Sequence, residues 1–120
     1  MSARASLVAG ALAAALGVAA GAFGAHALQD AVTADRLATW RTGASYAQVH
    51  ALALVLGAAR PALRLGAVAA LFLAGLLLFS GSLFALVLLD QPWLGAITPL
   101  GGLSWIAGWG LLAWRAARGA

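Results

Sequence analysis

Two histidines, His26 and His50, are the side chains of this sequence that can offer a nitrogen lone pair to a ligand or carry a proton near neutrality. His26 ends a run from Ala5 to Leu28 in which every residue but itself and Ser6 is apolar or glycine. His50 sits inside "SYAQVHALAL", one helical turn after Tyr46. An imidazole in such surroundings can bond a neighbouring helix, relay a proton, or hold a haem, quinone or lipid. Ser80 and Ser82 in "LFSGSLF" and Thr98 in "ITPLGG" complete the set of candidate functional polar residues. The serines lack an acid or base nearby in sequence, so no hydrolytic site is expected and the chain reads as a non-enzyme. There is no cysteine, and two lone histidines make no metal site.

These residues stand in a chain of 120 residues that is 64% hydrophobic and 8% charged. A soluble domain is nearer one-quarter charged, so the sequence belongs in a bilayer as a single integral-membrane domain, 1–120. Four apolar stretches approach the roughly 17 to 25 residues of a spanning helix: about 6–28, 43–59, 65–89 and 98–114. Arg4, the first run and "AHA" imitate a secretory signal with its cleavage site. The run is also long enough to span, and we read it as the first transmembrane helix. The architecture expected is an all-α, four-helix transmembrane bundle. A short interfacial helix would lie between helices 1 and 2, over "TADRLATWRT" from Thr33, its N-cap, with Trp40 at headgroup level. An irregular loop rich in Pro92, Gly95 and Pro99 would precede helix 4, whose N-cap would be Thr98 with Pro99 at the first helical position.

Charge sets the orientation. Arg4, Arg60, Arg64, Arg115 and Arg118 fall on one side of a four-span chain, and Arg36 and Arg41 on the other with Asp30, Asp35 and Asp90. Five arginines against two place both termini in the cytoplasm. The net charge of +4 is thus a topology signal, and nucleic acid is not an expected partner. The bilayer is, and a homo-oligomer or a larger membrane complex is left open.

Depth separates the histidines. His50 lies ten residues before Arg60, about 15 Å into the membrane, whereas His26 lies about 30 Å along its helix from Ser6, near the outer boundary. His50 is therefore expected to be buried with its nitrogens bonded to another helix. His26 is expected near water, bonded to the free carbonyls at the end of helix 1 or to the loop from Pro92 to Thr98. A stripe of Ala9, Ala13, Gly17, Gly21 and Ala25 reads as the contact face of helix 1.

Three function classes fit these features. The first is a structural or accessory module, suggested by the small-residue stripes and the absence of a carboxylate within a span. The second is a haem-, quinone- or lipid-binding protein using His50, His26 and Tyr46. The third is a small-molecule transporter, weakened by that same missing carboxylate. No cofactor is specified.

In order along the chain, "AFGAHAL", "YAQVHALAL", "FSGSLF" and "ITPLGG", followed by "WIAGW", resemble the YgdD/YwdK-type small integral-membrane proteins. That family has eukaryotic relatives among small mitochondrial transmembrane proteins. The resemblance covers about Ala9 to Trp114 and implies four transmembrane helices in the bacterial inner membrane. It implies no activity, substrate or cofactor. One departure is Phe84, where relatives often carry a tyrosine.

Overall fold

The computed structural model describes residues 1–119, and for Ala25 the backbone alone. Four long helical rods follow one another, and no strand occurs among the described residues. Helix α1 (Ala3–Leu28) starts where the Ser2 hydroxyl accepts from the Ala5 amide at 3.0 Å, the bond an N-cap supplies. It ends in a turn whose Ala31 and Val32 amides both donate to the Leu28 carbonyl. Helix α2 (Ala34–Ala58) is capped by Thr33, whose hydroxyl accepts from Arg36 N at 3.2 Å, with Asp35 in its first turn.

The separate interfacial helix expected between helices 1 and 2 is not formed. Its residues are the opening turns of α2. Nothing between Thr33 and Thr42 breaks a helix, and the Thr39 and Thr42 hydroxyls bond back to the Asp35 and Ala38 carbonyls, leaving the helix ladder intact.

The third rod, Gly66–Leu89, is α3 (Gly66–Gly75), a π-helical turn (Leu76–Ser80) and α4 (Gly81–Leu89) in one continuous run. The tight link from α2 carries a 3-10 turn at Pro61–Leu63 and turns through Arg64, a non-glycine residue with φ 50°. The Arg115 guanidinium donates to the Arg64 carbonyl and holds this link against the end of the last helix. Asp90 closes α4 in the same left-handed region, at φ 51°.

The loop expected to be irregular is instead a regular 3-10 helix, Pro92–Ala96, running into α5 (Thr98–Arg118). Because the Ile97 amide already bonds to Leu94 and the Leu100 amide to Ile97, the start of α5 is satisfied by backbone. Thr98 is therefore its first helical residue and not its cap.

Three of the rods, Ala3–Leu28, Gly66–Leu89 and Pro92–Arg118, are long and apolar enough to cross a membrane. Helix α2 is more polar, carrying Asp35, Arg36, Arg41, Gln48 and His50. Leu12, Leu16, Phe23, Leu77, Leu88 and Ile106 point outward from the molecule, where only an apolar solvent suits them. Inside, Leu54, Val68, Ala69, Phe72 and Trp105 form one core, and Trp40, Leu86, Val87 and Leu94 a second nearer the acidic end.

Helices α1 and α2 pack antiparallel through glycines. A Cβ at Gly10 would lie 2.8 Å from Leu54, at Gly17 2.9 Å from Gln48, and at Gly24 2.0 Å from the Trp40 indole nitrogen. The buried line of α1 is thus Ser6, Gly10, Gly17 and Gly24. The expected stripe meets it at Gly17, while Ala9, Ala13 and Gly21 flank it half-buried. The Ala25 side chain lies outside the described residues. A spacing of seven, not four, keeps contact with a nearly parallel neighbour, because seven residues make two whole turns.

Candidate functional site

His50 occupies the centre of the bundle. Its ring stacks on Trp105 at 3.8 Å between centroids and 5° between planes. Phe72 meets it edge-on at 5.5 Å, and Trp109 does so at 5.8 Å. The residue is 5% exposed.

Both ring nitrogens are engaged. The Trp109 indole donates to His50 Nε2 at 3.0 Å, and His50 Nδ1 lies 2.7 Å from the Tyr46 carbonyl oxygen of its own helix. Indole nitrogen can only donate and a carbonyl can only accept. The ring is therefore neutral, with its proton on Nδ1. An imidazolium would set two donors against each other at Nε2. The expectation of bonds to another helix holds for Nε2, while Nδ1 turns to the carbonyl one turn back on α2.

The α5 tryptophans form this setting because they are four residues apart and so share a helix face. Trp105 also donates to the Phe72 carbonyl at 3.0 Å, and Ser104 donates to the Leu71 carbonyl at 2.7 Å. Glycines allow this approach. A Cβ at Gly75 would stand 2.1 Å from the Trp105 indole nitrogen, and one at Gly101 2.3 Å from the Phe79 amide nitrogen. The π turn starts immediately after Gly75 and contains Phe79. Single π turns inside α-helices recur at functional sites.

The hydroxyls are used as interhelix ties. Ser80 donates to the Gly43 carbonyl at 2.7 Å, joining the π turn to α2. Ser82 bonds the Phe79 carbonyl at 2.9 Å and shares a 2.6 Å hydrogen bond with Thr98, tying α4 to α5. Ser6 donates to the Leu54 carbonyl at 3.0 Å, and the Trp40 indole to the Ala20 carbonyl at 2.8 Å. Tyr46 is half exposed, its ring 6.0 Å from Trp105 and 5.1 Å from Phe79.

His26 takes no part. It is exposed on the last turn of α1 and makes no side-chain hydrogen bond to a described residue. The expected cap is unneeded because Ala31 and Val32 serve the terminal carbonyl. Gly24 packs on Trp40, which lies ten residues, or about 15 Å, along α2 from His50. His26 is farther out still, so the two imidazoles cannot meet on one small ligand. In the sequence Trp105 and Trp109 stood out only as the ends of "WIAGW", with no part assigned to them. Their fourfold spacing on the last helix was the available signal for a pair that clasps a buried ring.

Residues 20–102 match the model of a family described as "Protein of unknown function (DUF423)". The UPF0382 membrane protein YwdK of Bacillus subtilis (strain 168) is 43% identical over 108 residues, covering 86% of this chain and 88% of its own. The chain belongs to this family. The DUF423 match takes in His26, Tyr46, His50, Ser80, Ser82 and Thr98, but stops before Trp105 and Trp109. Two further relatives match most of the chain. The UPF0382 membrane protein SAB0533 of Staphylococcus aureus (strain bovine RF122 / ET3-1) is 39% identical, covering 88% of this chain and 89% of its own. The UPF0382 inner membrane protein YgdD of Escherichia coli (strain K12) is 38% identical over 98% of this chain and 93% of its own. No solved structure matches the chain. Family membership and the apolar helices together make this a small membrane protein.

Proposed function

We propose that this DUF423 member is a four-pass inner-membrane protein with both termini in the cytoplasm, acting as a structural or accessory module without catalytic activity. The observation that carries the reading is the use made of the buried polar side chains. Ser6, His50, Ser80 and Ser82 are each bonded to backbone or to a neighbouring side chain of this chain. A catalytic or cofactor-binding group needs an atom left free for its substrate, and His50 would have to give up Trp109 or the Tyr46 carbonyl to ligate a haem iron. Four passes are supported by the alternating directions of the rods, which leave Arg4, Arg60, Arg64, Arg115 and Arg118 at one end. On the second rod, the least apolar, the others bury His50, whereas Asp35, Arg41 and Gln48 stay exposed. A partner surface is available on α1, whose Leu12, Leu16 and Phe23 are exposed on the side away from α2.

Solubilisation from native membranes in mild detergent tests the accessory role. The protein should elute as an assembly larger than one chain, reduced by Leu16→Ala with Phe23→Ala. A bare monomer would overturn it, as would a haem Soret band in purified protein that disappears in His50→Ala. Reporter fusions at either terminus should signal cytoplasm, and a fusion between Asp30 and Thr33 should signal the opposite side.

A further inference from the structure

At the arginine-rich end, an apolar chamber and a polar chamber share a wall. The apolar one, about 240 Å³, runs between α2, α3 and α5 past Leu54, Val68, Phe72, Trp109 and Leu112. The polar one, about 140 Å³, is bounded by Ser2, Arg60, Arg64 and Gly66. Ser6, Gly57, Arg60, Leu65 and Ala69 line both. From Leu65 to Phe72 the apolar chamber reaches about 10 Å along the helix, two-thirds of the ~15 Å that the chains of one leaflet span.

Charge is unbalanced here. The Arg60 and Arg64 side chains are exposed and donate to no described residue. Asp30, Asp35 and Asp90 all stand at the opposite end, where the ion pair of Arg36 with Asp90, at 3.1 Å, is formed. The Arg60–Leu65 link is also held in place, since Arg115 grips the Arg64 carbonyl. Two cations on a braced loop, with no acidic side chain at this end among the described residues, therefore guard the mouth of an apolar slot.

We infer that this end of the protein binds one anionic phospholipid. Its phosphate lies against Arg60 and Arg64, and one acyl chain enters the slot as far as Phe72 and Trp109. Basic pockets between membrane helices suit such headgroups. Ordinary annular lipid offers no comparison, because it coats the outer faces and has no chamber to enter. The bound chain would touch the indole whose N–H holds His50, so the lipid would brace the same core that His50 organises.

Native mass spectrometry of the protein released from nanodiscs tests this, with dioleoyl phosphatidylglycerol and dioleoyl phosphatidylcholine mixed in equal amounts. The full chain should retain one phosphatidylglycerol, favoured about fivefold or more over phosphatidylcholine. Arg60→Gln with Arg64→Gln should bring that preference to near unity. Both residues are exposed and leave the core untouched. Ala53→Phe, which fills the slot, should abolish retention of either lipid. Arg41→Gln, at the far end, should retain the full preference. Equal retention of the two lipids by the wild type would overturn the inference. So would an unchanged preference in the double arginine variant, or displacement of the lipid by millimolar inorganic phosphate, which has no chain to place in the slot.

Discussion

Trp109 donates its indole proton to His50 Nε2 at 3.0 Å and by doing so fixes where the histidine keeps its own. The tautomer follows without reference to any ligand, because the donor on one side and the Tyr46 carbonyl on the other leave one arrangement. Nitrogen-15 NMR of the protein in nanodiscs should show a protonated Nδ1 and an unprotonated Nε2 for His50. A proton on Nε2 would mean that Trp109 is not its partner.

The same bond predicts a coupled pair of variants. Trp109→Phe keeps most of the ring packing but leaves Nε2 buried without a donor, a loss of about 1–3 kcal/mol. Once His50 is replaced by leucine, the Trp109 substitution should cost less, since the acceptor has gone. A double-mutant cycle in a reversible detergent unfolding assay measures the difference. Strict additivity would show that the contact contributes nothing.

The glycines of α1 should not behave alike. An alanine Cβ at Gly24 would stand 2.0 Å from the Trp40 indole nitrogen and displace the bond from that nitrogen to the Ala20 carbonyl. At Gly21 the nearest atom is the Ala44 Cβ at 4.0 Å, an ordinary contact. Gly24→Ala should therefore destabilise by about 1–3 kcal/mol, the usual range for overpacking. Gly21→Ala should be neutral or mildly stabilising, because alanine is the better helix former by about 1 kcal/mol. Thermal unfolding of the two variants in one detergent decides the ranking.

That contrast also marks what the sequence made legible. Apolar runs and the placement of arginines were enough to anticipate an all-helical membrane chain and the burial of His50. The four-residue stripe pointed to the correct face of α1, but which glycines bear the contact depends on the angle and the side chains of α2. Trp40 decides it, nineteen residues beyond Gly21, the last glycine of the stripe. The Thr98 cap was misread because "TP" is a sound start signal, and only the 3-10 helix packed before it makes the cap redundant. The π turn left no readable trace in "LLLFS", and the close approach of the Trp105 indole to Gly75 just before it comes from another rod. For His50, burial was accessible from position, while its partners required knowledge of where α5 lies.

Ser82 and Thr98 come from two motifs sixteen residues apart and share a 2.6 Å hydrogen bond. Ser82 keeps a second partner in the Phe79 carbonyl, whereas Thr98 has none besides Ser82 among the described residues. Thr98→Val preserves shape and should cost about 0.6 kcal/mol, the average for an interhelical bond in a membrane. Ser82→Ala should cost more, because it also strips the Phe79 carbonyl of its extra donor and leaves the Thr98 hydroxyl alone. Unfolding free energies in the same detergent give the comparison, and a larger effect at Thr98 would contradict the bonding scheme.

The two histidines should part company most clearly under substitution. His50→Ala removes a ring stacked at 3.8 Å on Trp105 and edge-packed on Phe72. It also leaves the Trp109 N–H without its acceptor. A cavity of that size and an orphaned donor together should cost about 3–5 kcal/mol, a large share of the stability of a small domain. His26→Ala touches an exposed ring with no hydrogen bond to a described residue, and changes of that kind fall within about 0.5 kcal/mol. The measurement is the midpoint of thermal aggregation for each variant in the same detergent, with His50→Gln as a third. Glutamine is too short and too flexible to bridge Trp109 and the Tyr46 carbonyl while stacking on Trp105, so it should resemble alanine. A His26 variant as damaged as either His50 variant would show that the outer end of α1 bears weight that its exposed position denies.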